Sequence, residues 1–296
     1  MEMANSGKSR RGVLAGGRRR WENLGIDLLA LIFSRIGIAD RIAGVPYVCK
    51  SWWRASRDPF CWRSLDFREW DDISRRLGCE RDCHIDCDDL LVHAITRSKE
   101  FIDSVHLPYF ADIFDLEHLS NKCPELLYFS IENPDLSVDE FCKHIGKFKF
   151  LNGMAVDQSL ICHQVLQLVN QCCEYFSELE VFSDEMDKQM ASIICECLPK
   201  LRKLLITNCR VSRDAILTLL GGLKEIEYLD ISGYELSGIT SEVIEKASHL
   251  KVFRWDSMYD LGEFEYCSHC EEDYFFQSPC ECVMVQQVME WLVNHP

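Results

Sequence analysis

Two close cysteine pairs, Cys267-x-x-Cys270 and Cys280-x-Cys282, are the residues best spaced for chemistry in this chain. Four thiolates in two pairs can close a tetrahedral zinc site, and Tyr274, Phe275 and Phe276 between them could pack over it. C-x-C is the less usual spacing, so a second reading stands beside the first: a cysteine-rich loop ahead of a final helix over 283–293. Cys79, Cys83 and Cys87 with His84 make a weaker set, because three thiols on a charged linker need not converge. Phosphate-loop, H-E-x-x-H and G-x-S-x-G arrangements do not occur. Choosing one nucleophile among 17 cysteines would be arbitrary. The expectation is a chain with no catalytic residues and no cofactor, zinc being the one candidate.

The elements that would carry any site must fold from 296 residues, 47 % apolar and 27 % charged, which is globular composition. Lys and Arg total 32 against 48 for Asp and Glu, a net charge of −16. Such a body repels phosphate backbones and anionic membrane surfaces, so neither nucleic acid nor membrane is an expected partner. No apolar run approaches the roughly 18 residues that span a bilayer, and the N-terminus lacks the apolar core of a secretory signal. The odd cysteine count and the lack of an Asn-x-Ser/Thr sequon fit reduced thiols in the cytoplasm and/or nucleus.

Residues 1–20 carry Lys8, Arg10, Arg11, Arg18, Arg19 and Arg20 against the single acid Glu2, with glycines interspersed, and are expected to be disordered. Over 21–67 the character is compact and helical: Leu28, Leu29, Ile32, Phe33 and Ile36 form one apolar stripe. Residues 68–89 read as a charged linker into the periodic region that follows.

From 90 to 258 the chain keeps time. The pattern of three apolar positions at i, i+3 and i+5 occurs at Ile102, Val105, Leu107; Leu126, Phe129, Ile131; Leu151, Met154, Val156; and Phe176, Leu179, Val181. It continues at Leu201, Leu204, Ile206; Ile226, Leu229, Ile231; and Leu250, Phe253, Trp255. Successive units begin 24 or 25 residues apart, and chance agreement in a fixed register is about one in ten million. Positions 10, 7 and 3 residues before each strand start are apolar too, apart from Lys99, His144 and Thr240, and place one apolar face on a helix before each strand. Ser137 with Glu140 fits a helix-start capping box. Each unit alternates a short strand with a helix, and stacking buries what one unit alone cannot.

This ruler resembles that of the leucine-rich-repeat family, with about seven units over 90–258 followed by a cysteine-rich loop and capping helix over 259–296. The family's turn residue, Asn or Cys eight positions after the strand's first apolar residue, is matched only by Cys209. The cysteine subtype occurs behind F-box modules. Residues 21–67 resemble an F-box in order: Leu24-Gly25-Ile26-Asp27-Leu28-Leu29, Ile32-Phe33, Val48-Cys49-Lys50-x-Trp52, then Trp62, with Gly25 where the family usually has Pro. The resemblance is to plant-like F-box/LRR-repeat proteins. It implies an α/β fold: an N-terminal three-helix F-box followed by a right-handed leucine-rich-repeat solenoid, with parallel strands on the concave face and helices on the convex face. It also implies a non-catalytic substrate-recognition subunit of a Skp–cullin–F-box ubiquitin ligase, bound to a Skp-type adaptor and through it to a cullin. The adaptor contacts it implies are Leu24, Ile26, Leu28, Leu29, Ile32, Phe33, Val48, Cys49, Trp52 and Trp62. A repeat scaffold without ubiquitin transfer is the alternative.

Strand residues between the apolar positions point away from the core and line the concave face. The candidates for substrate contact there are Tyr128, Glu132, Asp157, Glu178, Glu180, Phe182, Lys203, Thr207, Tyr228, Asp230, Arg254 and Asp256. Acids outnumber bases among them, so the expected substrate is a protein with a basic segment.

Overall fold

In the computed structural model, residue 21, residues 24–78, 87–233 and 239–255, and the backbone of 265–267 and 272–274 are described. Three short helices come first, α1 (Ile26–Phe33), α2 (Ile38–Ala43) and α3 (Lys50–Ala55). A 3-10 turn at Val45–Tyr47, where Pro46 supplies no N–H, separates the last two. A second such turn, Pro59–Trp62, is capped by Asp58, whose carboxylate accepts from the Phe60 N–H at 2.9 Å.

The chain then enters β1 (Ser64–Asp66), α4 (Trp70–Arg76), α5 (Cys87–Ser98), β2 (Ser104–His106), α6 (Ile113–Lys122), β3 (Tyr128–Ile131), α7 (Val138–Ile145), β4 (Gly153–Asp157) and α8 (His163–Cys172). There follow β5 (Glu178–Phe182), β6 (Glu185–Met186), α9 (Lys188–Cys197), β7 (Lys203–Leu205), β8 (Arg210–Val211), α10 (Arg213–Gly222), β9 (Tyr228–Asp230), α11 (Ser241–Ala247) and β10 (Val252–Arg254). Eight strands form one parallel sheet in the order β1-β2-β3-β4-β5-β7-β9-β10, while β6 pairs with β8. The architecture is an α/β leucine-rich-repeat solenoid behind a three-helix module.

The register carries one apolar residue through the whole sheet: Leu65, Val105, Phe129, Met154, Leu179, Leu204, Leu229 and Phe253 are successive partners. The first of these lies one unit before the repeat begins on the sequence ruler. Trp62, Leu65 and Phe67 have the repeat's own i, i+3, i+5 spacing and are buried, but a step of 40 residues to Ile102 hides them from a 25-residue period.

From Ile102 to Ile231 every strand position of the ruler is buried. The last unit departs from it: Leu250 and Phe253 are half-buried and Trp255 is 36 % exposed, because no strand pairs with the outer edge of β10 among the described residues. The helix column holds with one exception beyond those in the sequence. Val92 is exposed, since α5 is turned to bury Leu91, Ala94, Ile95 and Ser98 instead. His144 is buried despite its type, its ring nitrogen Nδ1 lying 3.2 Å from the Ser120 hydroxyl.

The capping box expected at Ser137 is corrected: Ser137 is the N-cap of α7, but its hydroxyl makes no cap bond. The reciprocal box sits one unit earlier, at Asp112 and Asp115 of α6. Cys209 is fully buried after Asn208, which has a positive φ of 55°. The Asn208 N–H donates to Ser232 O at 2.9 Å. Gly233, at φ 137°, passes so close that a Cβ there would sit 2.4 Å from the Asn208 nitrogen, so this turn requires glycine.

Candidate functional site

Two surfaces are set by this framework. The first is the helical module. α1 is apolar at every position but Asp27, and a helix so apolar needs cover on more than one face. Its inner face supplies Leu29, Ala30 and Phe33 to the core, with the Phe33 ring 5.1 Å from Trp52. Its outer face leaves Leu28 and Leu31 more than 40 % exposed, and Ile26, at the helix start, is exposed as well. Val48, Tyr47, Trp53 and Phe60 are also exposed on this module.

Of the ten residues that the F-box resemblance assigns to adaptor contact, Ile26, Leu28 and Val48 are exposed, and Leu24, Ile32, Cys49 and Trp52 are half-buried. Leu29, Phe33 and Trp62 are corrected to core residues. Leu29 and Phe33 occupy the inward stripe of α1, and the Trp62 indole donates to Ser56 O at 3.0 Å inside the module. Leu31, Tyr47, Trp53 and Phe60 were missed by motif matching. Leu31 was findable, being three positions after Leu28 on the same helical face.

The module is tied to the sheet by Arg41, 4 % exposed. Its guanidinium donates to Cys61 O at 2.6 Å, Ser64 O at 3.1 Å, Ile36 O at 2.7 Å and Ser34 O at 3.4 Å, so one side chain links α1, α2 and β1. Asp40 and Arg76 pair across from α2 to α4, and Trp62 meets His93 of α5 edge-on at 5.5 Å.

The second surface is the strand face of the sheet. Tyr128 lies across Gly153 and donates its hydroxyl to Glu180, two strands away, at 3.2 Å. A Cβ on Gly153 would stand 3.0 Å from the Tyr128 ring and 2.8 Å from Glu178 Cβ. Burial pushes both the Tyr128 phenol and the Glu180 carboxyl above their ordinary values, as expected for charge removed from water. Beyond them Lys203 pairs with Glu178 at 2.7 Å and sits over the Tyr228 ring at 5.5 Å, which Arg254 approaches at 5.7 Å. At the other end His106 packs on Tyr128 at 5.3 Å, and burial, then the neighbouring Arg68, lowers its pKa. Burial works against the Asp66 carboxyl, but hydrogen bonds from Arg68 hold it below its usual range.

Asp230 is corrected from a surface contact to a buried acceptor, taking the Ser232 hydroxyl at 2.6 Å and the Tyr228 hydroxyl at 3.2 Å. In the outermost column Glu132 is exposed, Phe182 and Thr207 are half-buried, and Asp157 accepts the Ser159 N–H at 2.8 Å. Asp256 lies outside the described residues, and Arg254 is exposed at the sheet edge. Tyr128, Glu178, Glu180, Lys203 and Tyr228 are thus brought together in one network, to which sequence reasoning did not assign Arg68, His106 or Gly153. We expect Gly153→Val to displace Tyr128 from Glu180 and to cost about 1–3 kcal/mol by overpacking. Urea denaturation reads the loss, and a cost near zero would show that the ring does not lie across the glycine.

Nothing in either surface resembles a nucleophile with its base. Burial pushes the thiols of Cys61 and Cys209 up to about 11 and those of Cys123 and Cys173 up to about 12, so these cysteines stay protonated at neutral pH. Among the described residues no cluster of three or more His, Cys, Asp or Glu is set to hold a metal ion. Of the candidate zinc ligands, Cys267 ends β11 (Glu265–Cys267), which pairs antiparallel with β12 (Glu272–Tyr274). Cys270, Cys280, Cys282, Cys79, Cys83, His84 and the helix expected over 283–293 lie outside the described residues. No helix among the described residues is long and apolar enough to cross a membrane.

Comparison with known proteins agrees with this geometry. No protein-family model matches the chain. It is 24 % identical to an F-box/LRR-repeat protein of Arabidopsis thaliana over 258 residues, 79 % of this chain and 83 % of that one. The F-box protein FBW2 of the same plant is 26 % identical, over 87 % of this chain and 82 % of its own length. The F-box protein SKIP19, also from that plant, is 23 % identical over 77 % of this chain and 74 % of its own. Among solved structures the TLR13–ssRNA13 complex aligns with 50 % of this chain and 21 % of that one at a TM-score of 0.36 and 16 % identity, too loose a likeness to argue from. In sequence and in architecture the chain is similar to the plant F-box/LRR-repeat proteins: a short helical module followed by a leucine-rich-repeat solenoid.

Proposed function

We propose that this chain is the substrate-recognition subunit of a Skp–cullin–F-box ubiquitin ligase, working in the cytoplasm and/or nucleus. The helical module binds a Skp-type adaptor, and through it a cullin, while the strand face of the repeats binds a protein substrate. The subunit makes and breaks no bonds. It holds a substrate lysine where a separate enzyme can transfer ubiquitin, which is catalysis by proximity.

The observation that carries this reading is the outer face of α1. Leu28 and Leu31 on that face, with Ile26 at the helix start and Val48 beside the next helices, leave apolar side chains in water on a module that has its own core. Relatives named as F-box proteins support the same assignment. The strand face favours a basic substrate segment, since Asp66, Glu132, Asp157, Glu178 and Glu180 face it against Arg68, Lys203 and Arg254, with Tyr128, Tyr228 and Phe182 as aromatic anchors. Leu28→Asp and Val48→Asp should each lower co-purification of the adaptor at least tenfold, because burying a new carboxylate in an interface is costly. Thermal melting should not move, as both side chains are exposed. Full adaptor binding by both variants would overturn the assignment and leave a repeat scaffold.

A further inference from the structure

A cavity of about 250 Å³ opens where the helical module meets α5. Its walls include Tyr47, Trp53, Arg57, Trp62, His93 and Arg97. Among the described residues no aspartate or glutamate lines it, although acids outnumber bases 48 to 32 in the chain. Arg63, Arg68, Arg76, Arg202, Arg213 and Arg254 all pair with carboxylates. Arg57 and Arg97, like Arg35, Arg54 and Arg210, form no ion pair among the described residues, and only these two of the five line the cavity. The Arg57 guanidinium stacks over the Trp53 ring at 4.7 Å. Arg97 donates its Nε–H to His93 Nε2 at 3.3 Å, so one potential cation leans on another.

The acids closest in sequence do not relieve this arrangement. Asp58 follows Arg57, but its carboxylate accepts the Phe60 N–H. Asp89 is one helical turn before His93 and does not line the cavity. Arg41 also borders the space, but its guanidinium is held by four carbonyls. What remains is two planar forks of N–H donors and an imidazole beside indole and phenol faces, with no anion among the described residues to receive them. A guanidinium fork matches the oxygens of a phosphate two at a time. The cavity is smaller than the roughly 300–1,000 Å³ of drug-sized pockets, which suits a single small anionic group rather than a bulky cofactor.

We propose that this cavity binds a phosphate-type oxyanion, with Arg57 and Arg97 as its donors and Trp53 and Tyr47 as its apolar walls. Such a group is supplied either as free phosphate or on a phosphorylated side chain of a protein partner. The site shares Tyr47 and Trp53 with the exposed side of the helical module, and it holds whether or not the adaptor and substrate assignments do.

The test titrates the full-length chain with inorganic phosphate, with a phosphoserine peptide and with the same peptide unphosphorylated, by calorimetry and by the NMR shifts of the His93 ring. Inorganic phosphate or the phosphoserine peptide should bind and move the His93 signals, whereas the unphosphorylated peptide should not. Binding should fall at least tenfold in Arg57→Gln/Arg97→Gln and persist in Arg202→Gln, whose arginine is paired elsewhere with Glu225. Arg97→Lys, which keeps the charge and loses the fork, should fall between them and guards against a folding defect in the double variant. Tighter binding of the phosphoserine peptide than of phosphate identifies a partner-borne group; equal binding identifies the free anion. Binding of neither, or binding indifferent to both arginines, overturns the proposal.

Discussion

Arg41→Met will cost the chain about 3–5 kcal/mol, although methionine fills much of the same volume. The arginine donates to four carbonyls in a nearly closed setting. Each buried acceptor left without a donor costs roughly 1–3 kcal/mol, and water can rescue only some of them. The four carbonyls belong to the end of α1, the residues after it, the turn at Pro59–Trp62 and the start of β1. Their loss should therefore loosen the helical module from the sheet as well as lower stability. Urea denaturation reads the energy, and hydrogen exchange across 26–66 reads where it is lost. Arg41→Lys should recover little, because one ammonium cannot reach carbonyls on opposite sides of a planar fork. A cost below about 1 kcal/mol for Arg41→Met would show that other donors satisfy those carbonyls.

Phe129→Ala should be comparably severe, at about 3–5 kcal/mol. Phe129 is fully buried, its ring 5.7 Å from Phe148 and 6.3 Å from Phe141, and its backbone sits between Val105 and Met154 in the sheet. Each unit of a solenoid touches only its neighbours, so a cavity here weakens the joint between the module-bearing end and the rest of the array. The same chemistry at the half-buried Phe253, on the outermost strand, should cost much less. Denaturant midpoints of the two variants compare them directly. Equal losses would contradict a core that thins toward its last unit.

How much of this was legible before folding depends on what kind of signal a residue carries. Leu179, Leu204 and Leu229 announced themselves by a fixed spacing, and the structure pairs them on adjacent parallel strands. The same ruler passed over Trp62, Leu65 and Phe67, because an intervening helix stretches that first step. It also gave Trp255 the same weight as Ile231, although one is partly exposed and the other fully buried. Motif matching named Leu28 and Leu29 together as one pair, yet adjacent residues on a helix point about 100° apart, and only the packing of α1 on α3 separates the outward side chain from the inward one.

Periodicity and order of residue types were therefore enough to establish by themselves a strand-and-helix repeat behind a helical module, because burial demands an apolar residue at each recurring position wherever the chain stacks on itself. Which polar residues meet was decided only by the tertiary structure. Arg41 with the Cys61 and Ser64 carbonyls, Tyr128 reaching across Gly153 to Glu180, and Arg57 and Arg97 facing one cavity join residues 20 to 52 positions apart. Such contacts depend on how neighbouring units are stacked and leave no period along the chain.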